Sequence, residues 1–214
     1  KTSPKDVAYM AGLQIGQQVG GRMFDMMSQR IFGNDSTQSL SKENFLAGFM
    51  AALQKKGLNV TMEEANAYVQ SKAEVIKEKA TEAQYAENKA AGEKFLAENA
   101  KKEGVKTTPS GLQYKVIKEG NGAVPTDSST VKVHYKGTLI DGTQFDSSYD
   151  RKEPTTFKAN QVIKGWTEAL TMMPVGSKWE LYIPQDLAYG SRDAGQIKPF
   201  STLIFEVELV NIDK

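Results

Sequence analysis

Bond-making chemistry needs nucleophiles, bases or metal ligands, and this sequence offers few. It has no cysteine, so thiolate metal sites, cysteine nucleophiles and disulfides are excluded. Its one histidine, His134, falls mid-strand between Val133 and Tyr135, on the opposite face from both. That position suits a structural or solvent-facing side chain, not the centre of a Ser–His–Asp triad. No group of His and carboxylates has metal-ligand spacing. Glu119-Gly120-Asn121-Gly122 resembles a phosphate loop only superficially, because no Lys-Ser/Thr follows and no helix opens there. What stands out is an excess of aromatics at element ends and turns: Tyr135, Phe145, Phe157, Trp166, Tyr189, Phe200 and Phe205. Any one of these, Phe157 above all, is more often core than site. The order in which they come is the specific part.

The elements that must position these rings lie in the second half of the chain. Among 214 residues only Pro4 precedes Gly104, and the other prolines all follow it. Helical periodicity dominates before that point and strand alternation after it. Leu112, Tyr114 and Val116 alternate with polar residues, as do Val131, Val133 and Tyr135, then Trp179, Leu181 and Ile183, then Leu203, Phe205, Val207 and Leu209. Asp141-Gly142 signals a tight turn between strands. Val162 to Met172 reads as a short helix stopped before Pro174-Val175-Gly176. Antiparallel strands with one short helix make an α+β domain over residues 104–214.

The first part is all-α. Ser3-Pro4-Lys5-Asp6 opens a helix by cap, first-turn proline and acidic charge, and Gly33-Asn34 ends it. Ala11, Ile15, Val19 and Met23 recur every four residues, and so do Gly12, Gly16 and Gly20. Each helical glycine costs about 1 kcal/mol against alanine, so this stripe implies close approach of another backbone. A second helix runs from Ser41 to Lys56, with Phe45, Leu46, Phe49, Met50 and Leu53 on one face and Gly57 as its stop. These helices carry more apolar face than they can bury against each other. Packing on the C-terminal domain is one answer; pairing with a second copy is favoured because the segment that follows reads as a spacer, so residues 1–60 read as a dimerisation segment. Thr61-Met62-Glu63-Glu64 is a capping box opening a proline-free, Ala/Glu/Lys-rich stretch to Glu103. Being polar almost all round, residues 61–103 read as a long solvent-bridging helix, with Gly92 as a flexing point.

With 27 basic and 26 acidic side chains the charge is balanced, so neither a nucleic-acid nor an anionic-membrane partner is implied. No apolar run approaches the ~20 residues of a membrane span. The chain opens on Lys1 rather than Met, and a cleaved signal peptide is one explanation.

The ordered motifs VHYKGTLIDGTQFDSS, TTF, QVIKGWTEAL, PQDLAYG and TLIFEVEL resemble the FKBP-type peptidyl-prolyl cis/trans isomerases. The helical first half and GVKTTPSGLQYKVI resemble the Mip-like (macrophage infectivity potentiator) bacterial subgroup. The resemblance implies an antiparallel sheet wrapped around a short helix, with a proline ring entering between them. By that likeness Trp166 is the pocket floor, Tyr135, Phe145, Phe157 and Phe205 its walls, and Val162 and Ile163 its aliphatic rim. It also implies that the Ile163 N–H donates to a ligand carbonyl, that Asp146 is the polar group beside the pocket, that Tyr189 is a hydroxyl donor and that Ile197 is an apolar loop contact. Tyr135, Asp146 and Tyr189 are then the catalytic candidates. Proline-containing polypeptides and macrolides such as rapamycin are the implied ligands, with no metal and no cofactor. The segment from Ser191 to Phe200 is shorter than the family's usual loop and lacks its double proline.

Such a pocket needs no nucleophile. A planar amide is held behind a barrier of ~18–20 kcal/mol, and preferential binding of the twisted form gives tenfold in rate for each ~1.4 kcal/mol. The competing reading is a chaperone or docking module that keeps the fold without turnover. Against it, every alignable wall position remains aromatic or aliphatic. The cluster Met23, Met26 and Met27 could offer an adaptable client surface, but dimer core explains it more simply. The subgroup implies a bacterial periplasm or cell surface, with cytoplasmic relatives.

Overall fold

The computed structural model describes residues 3–33, 35–57 and 59–213, so the expectations at Lys1, Asn34 and Lys214 lie outside the described residues. The chain divides into two compact units, Lys1–Thr81 and Glu82–Lys214.

In the first unit, helix α1 (Pro4–Gln17) opens with the Ser3 hydroxyl accepting from the Lys5 N–H, and with Asp6 in its first turn. It continues through a π-helical stretch, Gln18–Met23, into α2 (Phe24–Phe32), which closes at Gly33 with φ 62°. The sequence reading of one unbroken α-helix is corrected there: the π turn sits on Gly20-Gly21, where the widened coil meets least resistance. Helix α3 (Lys42–Gln54) is capped by Ser41, whose hydroxyl accepts from Asn44 N–H, and ends on left-handed Lys55. Phe24 meets Phe45 at 5.3 Å between ring centroids, and Ser28 accepts from Leu40 N–H at 2.7 Å. Helix α4 (Met62–Gln84) starts on a reciprocal capping box: Thr61 N–H donates to Glu64, and Glu64 N–H donates to the Thr61 hydroxyl. It buries no residue along its length.

In the second unit, helix α5 (Ala86–Asn99) packs on a seven-stranded antiparallel sheet. Buried Gly92 and Asn99, with half-buried Asn88, Phe95 and Leu96, form its inner stripe. The reading of one long helix, polar all round, over residues 61–103 is corrected here: α4 and α5 are separate helices on either side of Tyr85. The stripe of α5 was missed because only Phe95 and Leu96 in it are large and apolar, the rest being amides and a glycine. The strands are β1 (Val105–Thr107), β2 (Gln113–Lys118), β3 (Thr130–Leu139), β4 (Gln144–Ser147), β5 (Thr155–Lys158), β6 (Lys178–Ile183) and β7 (Leu203–Asp213). Their order is β1-β2-β6-β7-β3-β4, with β5 also pairing β3. Strand β3 thus pairs β7 along one edge and β5 then β4 along the other. Its period-two alternation buries Val131, Val133 and Tyr135 on one face, opposite Leu203, Phe205, Val207 and Leu209 of β7 on the same side of the sheet. The tight turn forms as expected, with Gly142 at φ 89° and the Asp141 carboxylate accepting from Thr143 N–H. Helix α6 (Lys164–Leu170) lies across the concave face and buries Trp166, Ala169 and Leu170. It is shorter than the pattern from Val162 to Met172 suggests, because Ile163 is already extended and serves as its cap.

Two other sequence features resolve here. Gly120 and Gly122 exist for close packing: a Cβ on either would fall within 3 Å of the Pro174–Ser177 turn, whose Val175 carbonyl accepts from Gly122 N–H. His134 has a structural setting, with Nδ1 3.0 Å from the Ser148 hydroxyl and its ring stacked on Tyr149 at 4.9 Å.

Candidate functional site

Between the concave face of the sheet and α6 lies a cavity of about 630 Å³. Its floor is Trp166, placed by the first turn of α6 and only 4% exposed. Three rings stand edge-on to that indole: Tyr135 of β3 at 5.2 Å and 83°, Phe157 of β5 at 5.5 Å and 81°, and Phe205 of β7 at 5.2 Å and 85°. Phe145 of β4 meets Phe205 in the same way at 5.5 Å. Edge-to-face contacts add ~0.5–1.5 kcal/mol each beyond area burial, so the rings hold one another in place. Strand alternation puts Tyr135, Phe157 and Phe205 on one side of one sheet, although they are far apart in sequence. Val162 and Ile163 form the edge before α6, and Tyr189, Ala194 and Ile197 close the opposite side.

Every site candidate read from the sequence lines this one cavity: Tyr135, Phe145, Asp146, Phe157, Val162, Ile163, Trp166, Tyr189, Ile197 and Phe205. Phe200, grouped with them by type, is buried but does not line it. Sequence reasoning missed the polar rim of Gln161, Arg192 and Gln196, and also Arg151 behind Asp146. The signal for Arg151 was available: a half-buried carboxylate beside an apolar pocket needs a cationic or hydrogen-bonding partner, and Arg151 follows five residues on.

That partner organises the polar edge. Arg151 donates to Asp146 at 2.7 Å, to the Tyr135 hydroxyl at 2.8 Å and to the Thr155 hydroxyl at 3.3 Å. Its guanidinium also sits 5.6 Å from the Tyr135 ring centroid. The Tyr135 hydroxyl in turn donates to the other Asp146 oxygen. Burial resists ionisation of Asp146, but the bonds from Tyr135 and Arg151 and the Arg151 charge outweigh it, so its pKa is lowered. Burial and the bond to Asp146 raise the Tyr135 phenol. Near neutrality the cluster is therefore a neutralised ion pair with the phenol proton committed to the carboxylate. It offers neither a free base nor a nucleophile.

Among the described residues no group of His, Cys, Asp and Glu could hold a metal ion, and no helix is long and apolar enough to cross a membrane. An antiparallel sheet wrapped on a short helix, with an aromatic-walled cavity between them, defines the class of protein by fold and site.

Comparison with known sequences gives that class its name. The family described as FKBP-type peptidyl-prolyl cis-trans isomerase matches residues 122–210, and the domain amino-terminal to it matches residues 4–116. The FKBP-type 22 kDa peptidyl-prolyl cis-trans isomerase of Escherichia coli K12 is 47% identical over 215 residues, covering 99% of this chain and 96% of that one. Outer membrane protein MIP of Legionella longbeachae is 55% identical over 129 residues, 60% of this chain and 55% of its own. The crystal structure of FkpA from Escherichia coli matches with a TM-score of 0.61 at 36% identity, covering 100% of this chain and 98% of that one. The chain belongs to the Mip-like FKBP-type peptidyl-prolyl cis-trans isomerases, and it catalyses the cis/trans isomerisation of X–Pro bonds.

Proposed function

We propose that the cavity seats the proline ring on Trp166 and favours the twisted amide over either planar form, without a covalent intermediate. The observation that carries this reading is the box of edge-on rings around Trp166 beside a charge cluster that is internally neutralised. An amide entering such a site loses hydration it needs most when planar, so desolvation penalises the ground states more than the twisted state. The Ile163 N–H makes no hydrogen bond to a described residue, and so stands ready to fix a substrate carbonyl. Tyr189 supplies a second donor from the loop side, while Tyr135 and Asp146 shape the polar edge. Val162, Phe145, Phe157, Ile197 and Phe205 provide the remaining apolar contact. A macrolide such as rapamycin, presenting a ring and carbonyls in the same order, occupies the same space. Tyr189→Phe tests the donor role: a fall of about tenfold in kcat/KM on a short prolyl peptide is expected, and unchanged turnover removes Tyr189 from it.

The same reading divides the chain into a dimerisation segment (1–60), a helical connection (61–103) whose second helix, α5, packs on the sheet, and the isomerase domain (104–214). Its support for self-association is the exposed apolar face of α1, where Tyr9 is 69% and Met10 64% exposed. A groove lined by Gly12, Gly16 and Gly20 runs along the same helix, shaped for a close-packed partner. Proline-containing polypeptides are the clients, and assistance to protein folding is the biological role. The likeness to a protein named as an outer membrane protein supports an envelope location. The relative matched over the whole chain carries no location in its name, so fractionation of the native protein decides between envelope and cytoplasm.

A further inference from the structure

The loop that closes the cavity is held at its base by a helix from outside the family's isomerase segment. Residues 191–198 carry Arg192, Ala194, Gln196 and Ile197 to the cavity, and Tyr189 lies just before them. The two ends of this loop are joined by the Phe200 N–H donating to the Gly190 carbonyl at 2.7 Å. Phe200 itself is left-handed, with φ 60°, yet it is neither glycine nor asparagine. Such a conformation is strained and persists only where the surroundings over-determine it.

Those surroundings are supplied by α5. Asn88 Nδ2 donates to the Pro199 carbonyl at 2.8 Å and to the Ser201 hydroxyl at 2.9 Å, spanning Phe200 on both sides. The Ser201 hydroxyl donates in turn to the Lys198 carbonyl at 2.7 Å, which extends the tie into the loop. The Lys89 ammonium lies 5.6 Å from the Phe200 ring centroid. One helical turn on, Gly92 has no room for a side chain: a Cβ there would fall 2.3 Å from the Thr202 hydroxyl and 3.1 Å from the Thr202 Cβ. Residues 199–202 therefore rest in a seat cut by Asn88 and Gly92. Helix α5 lies outside residues 122–210, the segment matched as the isomerase itself.

We infer that Asn88 and Gly92 are positioning residues for the isomerase reaction, fixing the strained Pro199–Thr202 segment and through it the loop that carries Tyr189 and Ile197 over the cavity. This rests on the reading that the cavity is where the peptide is turned over. Gly92 is a contact point, and the flexing role suggested by its place in a helix does not apply. When the seat is lost, the loop spends part of its time away from the binding geometry. The apparent KM then rises by the inverse of the competent fraction, while kcat from the assembled state is kept.

The test uses the full chain and a short X–Pro peptide, with kcat and KM measured separately and amide exchange followed at residues 191–198. Asn88→Ala should raise KM about fivefold with kcat within about twofold, and loop amides should exchange at least about tenfold faster. Gly92→Ala should do the same, and Thr202→Ala added to it should bring KM at least halfway back to wild type, because the 2.3 Å contact with the hydroxyl is removed while the tighter-than-usual 3.1 Å contact with Cβ stays. Glu87→Ala, on the exposed face of the same helix, should match wild type. If Asn88→Ala unfolds the domain, Ser201→Ala carries the test, with a KM rise of about twofold expected. Wild-type KM and loop exchange in the folded variants, with activity lost only in Tyr135→Ala, would overturn the inference and leave the cavity reading intact. Full activity in Tyr135→Ala as well would instead remove the cavity reading. A lower Tm with unchanged KM would mean that α5 is merely structural.

Discussion

The two units treat their large apolar side chains in opposite ways. In Glu82–Lys214 the rings of Tyr135, Trp166 and Phe205 are each at most 5% exposed, although they border an open cavity. In Lys1–Thr81 the side chains of Tyr9, Met10, Leu13, Ile15, Met23 and Met26 all stand exposed on one stretch of helix. The first pattern is a closed core with an opening; the second leaves large apolar side chains in water, as the proposed self-association requires. A pocket must hold its shape before its ligand arrives, so its rings are locked edge to face by one another. An association surface reaches its final packing only with its partner, and on the proposed reading the open apolar side chains and small-residue groove are that surface.

The largest effect should come from the centre of the closed region. Trp166→Ala removes the ring that Tyr135, Phe157 and Phe205 all touch, and should cost about 3–5 kcal/mol in urea unfolding with prolyl turnover lost. A small loss would mean that the rings are independently supported and the locked-box description is wrong. Next comes the open face. Ile15→Asp should weaken self-association by at least about tenfold in sedimentation, with turnover on a short peptide unchanged. Unfolding of the monomer by that substitution would turn the face into internal core and erase the contrast.

The smallest effect concerns the charge cluster. Asp146 has a lowered pKa in the folded protein, so its ionisation contributes stability that is present above the unfolded carboxylate value and lost as pH falls through the folded one. With Asp146 and Arg151 each more than a third exposed, solvent screens the pair and the contribution is modest. Arg151→Ala should therefore cost a modest amount of stability near pH 7 and almost none where Asp146 is protonated, so the fall in stability towards acid becomes shallower. An unchanged slope between the folded and unfolded carboxylate values would mean that Arg151 does not set the ionisation of Asp146.

Legibility in the sequence followed how each residue is held. Trp166 and the ring-bearing strands were readable because alternation and ring type are local signals, and their order carries the family likeness. The aromatics named from sequence line one cavity, apart from Phe200, whose setting depends on Asn88 and Lys89 from far away in the chain. The stripe of α5 was not readable: Asn88, Gly92 and Asn99 pack through amide hydrogen bonds and absence of bulk, which hydrophobic periodicity does not register. Nor was the π turn in the first helix, since Gly20-Gly21 is compatible with an ordinary α-helix as well. Arg151 sits beyond the end of a strand, where no periodicity points, and only the need of Asp146 for a partner could have found it.

The central claim is that turnover needs no proton transfer, only a cavity that prefers the twisted amide. It is tested most directly by the pH dependence of kcat/KM, from pH 5 to 9, on a prolyl peptide with no titrating side chain. Asp146 titrates below that range and the Tyr135 phenol above it, so the profile should be flat within about twofold. A bell-shaped profile, with limbs removed by substitution at Asp146 or Tyr135, would contradict the account and establish general acid–base catalysis in its place.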